Sequence, residues 1–362
     1  MSGEVLLLQE DEFPYPATGC KRPGHVVCVE VGELASSVAY VTASENEING
    51  DVLKINLAKI SAANLVPGLE EVKDRICAVK DTDVTVVCSG CLRKDTLEKI
   101  KNVFNTDELV RLKKSECLGK SVHHMLAKMD EADSMRPYTD PDIAALLKRA
   151  FGYAPPKDPS AQPDPLFPAL VCSMGDSFEI YKVKEDGSCK FLEKVLGYGG
   201  VYLASLGRAL TGYKTIDEII AASKDGDPAN ISTTLTEAIP ESYGDVDTRA
   251  ISIFYPFVVE VFPMGKLIQN DITEPNPDDL MAALANESYR TMMTMMNHHT
   301  KRFNLTKTYF TGMLFPGNER LVDYIHRMPY SCVFTQQRPN NVRLLKYENY
   351  LPVIGGVLKT LG

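Results

Sequence analysis

The chain contains no tryptophan, and no apolar run in it approaches the ~20 residues that a membrane-spanning helix needs. Basic charge is in deficit: 39 Lys and Arg stand against 48 Asp and Glu, a formal net charge of −9. That balance argues against a nucleic-acid binder held by backbone phosphates. The opening MSGEVLLLQEDEFPYP has only the short apolar stretch Val5–Leu8 and no basic segment before it, so no secretory signal is expected there. Cysteines number nine, an odd count, and without an export signal they are expected as reduced thiols of the cytosol or nucleus. What is present is ordinary for a folded protein. The 362 residues are 44% hydrophobic and 24% charged, which excludes wholesale disorder and suggests two domains or one large one.

His25–Glu30, HVVCVE, reads as a strand that stops at Gly32, and Val38–Thr42 as the returning strand of a hairpin. Asp51–Ile60 fits strand or helix. Val84–Cys88 is a buried-strand candidate ending at Ser89-Gly90. From Lys94 to Met129 the pattern is helical, with Leu97, Ile100, Val103 and Phe104 on one face. Asp140–Tyr153 is a further helical stretch. Ala154–Pro168 carries six prolines and is expected as a linker, so the domains are placed at 1–155 and 165–362. The second half restarts with Ala169–Ser173, a turn at Met174-Gly175-Asp176, and Ser177–Val183. A third strand is expected at Phe191–Val195, then helices at Val201–Thr211, Ile216–Ser223, Pro277–Met296, Glu319–Arg327 and Tyr350–Leu361. Late strands are expected at Lys307–Met313 and around Val333. Both halves thus begin strand, glycine turn, strand, then helices. That pattern predicts an α/β protein with mixed sheets. Two such halves around a nucleotide cleft is the layout of the actin and hexokinase superfamily, each half ribonuclease H-like.

The stretch LFPALVCSMGDSFEIYKV (Leu166–Val183), the helix end LTGYKTIDEIIAASKDG (Leu210–Gly226), FPMGKL (Phe262–Leu267) and the closing YENYLPVIGGVL (Tyr347–Leu358) together resemble the eukaryotic-type, or type II, pantothenate kinases. The likeness covers the second half and is fainter in the first. It implies transfer of a phosphoryl group from ATP, with Mg²⁺, to pantothenate, in coenzyme A biosynthesis. It implies ATP and Mg²⁺ as cofactors, pantothenate or a coenzyme A-like ligand as small-molecule partner, and a homodimer or a heteromer with an active family member. No nucleic acid or membrane is expected as a partner.

The residues that would do the chemistry depart from the family. Its first phosphate turn, Asp-x-Gly-Gly-Thr-x-x-Lys, is matched by Glu30-Val31-Gly32-Glu33-Leu34-Ala35-Ser36-Ser37. Glu30 keeps a carboxylate and Gly32 a glycine. Glu33 brings a negative charge where phosphate would lie, a like-charge pair that costs about 1 to 4 kcal/mol at ~4 Å. Ser37 removes a cation. The turn reads either as a nucleotide cradle or as a plain β-turn. The family's glutamate base falls on Thr96, after Lys94, leaving Asp95 and Glu98 as candidate catalytic carboxylates. At the second turn Gly175 remains, while Asp176 and Glu179 replace serines that, in the family, contact an acyl-coenzyme A inhibitor. Lys194 matches the arginine there. Gly199-Gly200 opens a helix and reads either as an anion site or as a tight turn. Gly265 and Lys266 match the adenosine side. The nucleotide-binding candidates are therefore Glu30, Gly32, Gly175, Gly199, Gly200, Gly265 and Lys266, and no metal ligand is assigned. These losses leave two readings, an active kinase and a pseudokinase subunit that pairs with or regulates an active one.

Cys88 and Cys91 form a Cys-x-x-Cys expected to be incidental. The methionines of RTMMTMMNHH are expected in helix core or at a dimer contact. Lys113, Lys114 and Lys346 are read as solvated charges.

Overall fold

The β-branched run from His25 to Glu30 forms the central strand of the first sheet. The computed structural model describes residues 7–16, 25–41, 52–77, 84–90, 93–136, 165–234, 237, 260–262, 264–270, 272–331 and 341–362. In chain order the strands are β1 (Leu7–Pro16), β2 (His25–Glu30), β3 (Ala35–Val41), β4 (Val52–Ser61), β5 (Val84–Ser89), β6 (Val110–Leu112), β7 (Ala169–Met174), β8 (Phe178–Val183), β9 (Cys189–Val195), β10 (Thr233–Thr234), β11 (Glu260–Phe262), β12 (Lys307–Thr311) and β13 (Asn341–Leu344). The helices are α1 (Leu65–Cys77), α2 (Lys94–Phe104), α3 (Lys114–Lys128), α4 (Glu131–Ser134), α5 (Gly200–Thr211), α6 (Ile216–Asp225), α7 (Gly265–Gln269), α8 (Pro277–Phe303), α9 (Glu319–Ser331) and α10 (Leu351–Leu361).

The first sheet runs β1-β4-β3-β2-β5-β6 and the second β13-β12-β7-β8-β9. In the first, β2-β3 and β3-β4 are antiparallel, while β2-β5 and β5-β6 are parallel. In the second, β7-β12 and β12-β13 are parallel. The short turns joining β7 to β8 and β8 to β9 permit only antiparallel pairing. β10 and β11 pair only with each other; with them and β1 set aside, both large sheets have their own strands in the order third, second, first, fourth, fifth. The fold is therefore mixed α/β with a doubled sheet topology, the actin- and hexokinase-like fold class expected from the sequence.

By packing, the chain divides into two units. One holds Met1–Ser134, Tyr181–Glu193 and Leu345–Gly362; the other holds Met135–Ile180 and Lys194–Leu344. In the first unit, one face of the sheet buries Val27, Val29, Cys88 and Ile60 against Leu69, Val72 and Ile76 of α1 and Leu97, Ile100 and Val103 of α2. The opposite face carries Cys28 and Val87. There α10 lies so close that a Cβ on Gly356 would stand 2.3 Å from Cys28 Sγ. In the second unit, α8 starts at the Asn276 cap, whose side chain accepts from the N–H groups of Asp278 and Asp279. It buries Met292, Met293 and Met296, so this methionine run is helix core.

Several elements differ from the sequence expectation. Asp51–Ile60 resolves as strand β4. The stretch read as continuous helix from Lys94 to Met129 is interrupted by β6, because Asn105 ends α2 in the left-handed conformation. β1 was not expected at all. Its Pro14 and Pro16 are tolerated because it is an edge strand, paired antiparallel to β4 alone. α8 and α9 run past their expected ends at Met296 and Arg327. The expected helix Asp140–Tyr153, most of the linker Ala154–Pro168, the boundary drawn through it and the strand around Val333 lie outside the described residues.

His124 on α3 is buried beside Phe13 and Tyr15, ring centroids 6.0 and 5.2 Å away. Burial lowers its pKa from 6.5 to about 4, with Lys128, Lys120 and His123 adding repulsion. The unfolded chain thus binds this proton more tightly than the folded one, so its contribution is full above pH 6.5 and is lost as pH falls toward 4. The melting midpoint is expected to decline across that window. His124→Phe should flatten the decline, and an equally steep profile in that variant would remove His124 as its cause.

Candidate functional site

In the first sheet, β2 connects to β3 on one side while its parallel neighbour β5 lies on the other. Ligands of open α/β sheets bind outside the carboxyl ends of strands that part in this way. Three polar residues line up across that edge: Ser37 of β3 opposite Glu30 of β2, and Glu30 opposite Ser89 of β5. Buried Lys59 of β4 continues the row beside Ser37. Residues paired across strands share a face, and this one is the face that carries Cys28.

Two residues from outside the sheet complete the cluster. Lys114, the first residue of α3, places its Nζ 2.9 Å from Glu30 Oε1, with the side chains 24% and 16% exposed. Asn349, just ahead of α10, accepts from Ser37 Oγ through its backbone carbonyl at 2.8 Å. Ser89 Oγ and Asn349 Oδ1 are buried with no hydrogen-bond partner. Gly90 follows Ser89 at φ +92°, and a Cβ there would lie 3.9 Å from Glu30 Oε1. Lys114, read from sequence as a solvated charge, is thus corrected to half of an ion pair at the sheet edge. Ser89 and Asn349 carried no signal in the sequence beyond their neighbourhood.

The turn after Glu30 is placed differently from expectation. Glu33 Oε1 pairs with Arg93 Nη2 at 2.6 Å, both side chains largely exposed. Arg93 is the N-cap of α2. The charge expected to face phosphate is therefore drawn toward a guanidinium, in a surface pair worth about 0–1 kcal/mol. Leu34 uses its carbonyl to accept from Ala62 N–H at 3.2 Å, which fixes the turn to the start of the segment after β4. In the first turn of α2, Asp95 and Glu98 are exposed and Thr96 is half-buried. Position 96, where the resemblance expects the base, thus holds the half-buried residue, and the two candidate carboxylates are exposed.

In the second unit, Gly175-Asp176-Ser177 joins β7 to β8, and Gly199-Gly200 leads into α5. These two turns close on each other. Gly200 N–H donates to Gly175 O at 2.8 Å and Val201 N–H to Asp176 O at 3.2 Å. A Cβ on Gly199 would sit 2.4 Å from both Asp176 O and Ser177 Cα, so only glycine allows the approach. The first two N–H groups of α5, one of which was expected to face an anion, are taken by protein carbonyls. Beside them, Lys194 Nζ lies 3.1 Å from Glu179 Oε1, and Ser177 Oγ donates to the same oxygen at 3.4 Å. The Glu179 side chain is only 10% exposed. The added carboxylate is thus neutralised internally, by the residue at the family's arginine position. Lys266 is the second residue of the short α7, after Gly265. Its Nζ contacts Glu237 Oε1 and Ala229 O, both at 2.6 Å.

Burial pushes the Cys88 thiol up to about 11. Cys91, the other cysteine of the Cys-x-x-Cys, lies outside the described residues. Among the described residues, no cluster of three or more His, Cys, Asp or Glu side chains is disposed to hold a metal ion.

The family model described as Fumble matches residues 29–359. Pantothenate kinase 2 of Arabidopsis thaliana is 25% identical over 248 residues, covering 67% of this chain and 26% of the relative. Pantothenate kinase 1 of Oryza sativa subsp. japonica is 26% identical over 239 residues, covering 64% and 34%. The chain therefore spans about a quarter to a third of the length of these curated relatives. Among solved structures, the glucokinase of Balamuthia mandrillaris in complex with glucose matches with a TM-score of 0.47 at 12% identity, covering 94% of each chain.

Proposed function

We propose, because this chain belongs to the Fumble family, that it serves the ATP-dependent phosphorylation of pantothenate in coenzyme A synthesis, and that alone it turns over slowly. One observation carries the second half of this reading. In the first turn of α2, Thr96 is half-buried while Asp95 and Glu98 are exposed. A threonine hydroxyl is no base near neutral pH, and a positioned general base contributes roughly 10²- to 10⁴-fold. Binding and electrostatic positioning supply much of what remains in phosphoryl transfer.

The sheet edge of the first unit suits that residual task. Mg²⁺ is usually held by one or two carboxylates together with substrate phosphates and water. Glu30 supplies one carboxylate there, and the buried oxygens of Ser89 and Asn349 are hard donors without partners. These residues fit a magnesium-bound polyphosphate, whose charge the ion neutralises when bound. Glu30 would anchor the ion, and the glycine at 90 leaves the carboxylate open to approach.

A second reading is a subunit without its own turnover, paired with an active family member in the cytosol or nucleus. What favours it is the second unit. Gly200 and Val201 give their N–H groups to the preceding turn, and Lys194 is engaged by Glu179.

The two readings separate in one assay, phosphorylation of labelled pantothenate by the purified chain with Mg²⁺ and ATP, alone and mixed with an active relative. Slow turnover above a mock preparation is expected from the chain alone. No turnover alone, with stimulation of the active relative, would replace the first reading by the second.

A further inference from the structure

The fold itself does not require the ion pair between Lys114 and Glu30. Half-buried pairs lose hydration on both partners and are weak evidence of stabilisation. This one stands where β2 and β5 part, beside a hydroxyl that is fully buried and has no partner, Ser89 Oγ. Ser89 is the cross-strand neighbour of Glu30, so the orphaned oxygen and the carboxylate share a face. Lys114 also starts a helix of 15 residues, whose amino end favours negative charge. A cation, a helix amino end and an unsatisfied hydroxyl thus converge on a carboxylate that already occupies the cation.

We infer that Lys114 is a polyphosphate-binding residue, held by Glu30 until a magnesium ion takes that carboxylate. The inference rests on the phosphoryl-transfer reading of the site. With the metal on Glu30, the ammonium group moves to a phosphate oxygen, and the Ser89 hydroxyl has an acceptor in the same ligand. Lys114 then supplies, from α3, the positive charge that Ser37 does not supply from the hairpin. The arrangement makes metal and phosphate binding cooperative, because each removes the obstacle to the other. Metal-free polyphosphate meets Glu30 with its lysine engaged, and metal alone must displace that lysine without giving it a new partner.

Calorimetric titration of the full chain tests this, with Mg·ATP and with metal-free inorganic tripolyphosphate as probes. The chains compared are wild type, Lys114→Met, Lys114→Arg, Glu30→Gln and the Glu30→Gln/Lys114→Met double variant, each checked by its circular dichroism melt. Lys114→Met should weaken Mg·ATP about 10- to 100-fold, the worth of one charge-assisted hydrogen bond, while Lys114→Arg stays within a few-fold. Glu30→Gln should bind metal-free tripolyphosphate more tightly than wild type, since it removes the carboxylate that pairs with the lysine. Adding Lys114→Met should abolish that gain. The double variant leaves no carboxylate unpaired, so it answers for Lys114 even where the single methionine variant folds poorly. Equal tripolyphosphate affinity in Glu30→Gln and the double variant would overturn the inference, as would a wild-type chain that binds neither probe. Lys114-dependent binding of Mg·ATP without transfer to pantothenate would support the inference and sink the acceptor assignment instead.

Discussion

Thr96→Glu is expected to speed pantothenate phosphorylation by about a hundredfold or more over the parent chain. Residue 96 is the third of α2, after the N-cap Arg93, and in that first turn it is half-buried where Asp95 and Glu98 are exposed. A carboxylate there is compatible with the helix, because glutamate at the third position favours both the amino-terminal caps and the dipole. The nearest electrostatic obstacle is smaller than the sequence implies. Glu33 is turned to Arg93 at 2.6 Å and does not stand alone in the phosphate turn. Single-turnover rates of Thr96→Glu and Thr96→Gln check the expectation, since both lengthen the side chain and only one adds a base. If the two variants react equally slowly, residue 96 is not where a base is missing.

The second large effect is on stability. Gly355→Ala is expected to destabilise the protein by about 3 kcal/mol, with a fall in melting midpoint of roughly 6–12 °C. A Cβ at residue 355 would stand 1.8 Å from the backbone carbonyl oxygen of Cys117 and 2.5 Å from its carbon. This contact is backbone against backbone, α10 on α3, so no side-chain rotamer can relieve it. Lys359→Ala serves as the control on the same helix. It removes a partly exposed pair with Glu116 and should cost about 1 kcal/mol or less. A Gly355→Ala midpoint no lower than that of Lys359→Ala would mean that α10 can shift on α3 without loss.

Periodicity and turn chemistry made the doubled architecture legible. The largely apolar runs at 25–30 and 169–174 follow from burial of a strand within a sheet, and the spacing of Leu97, Ile100 and Val103 from burial of one helix face. The spacing of Leu69, Val72 and Ile76 was equally available and marks α1, which the sequence reading passed over. β1 had no such signal, since two prolines and a run of acids argue against a strand unless its edge position is known. The candidate site was legible only in part. Glu30 was placed by resemblance, but its partner Lys114 is far along the chain, and one lysine of an adjacent pair carries no mark of its reach. Ser37, Glu30 and Ser89 become a row only through strand register, which pairs residues that a single sequence does not relate. Arg93 against Glu33 has the same character, a contact across 60 positions.

The interleaving of the two units has a consequence for biosynthesis. Segments of the first unit end at Ser134 and Glu193 and resume at Leu345. At 5–20 residues per second, a ribosome that has released α3 needs roughly 10–50 s more to deliver α10. During that interval β2 and α3 are present while the helix that covers Cys28 and Cys117 is not. The nascent chain therefore shows an uncovered apolar, thiol-bearing face to chaperones before native closure can occur.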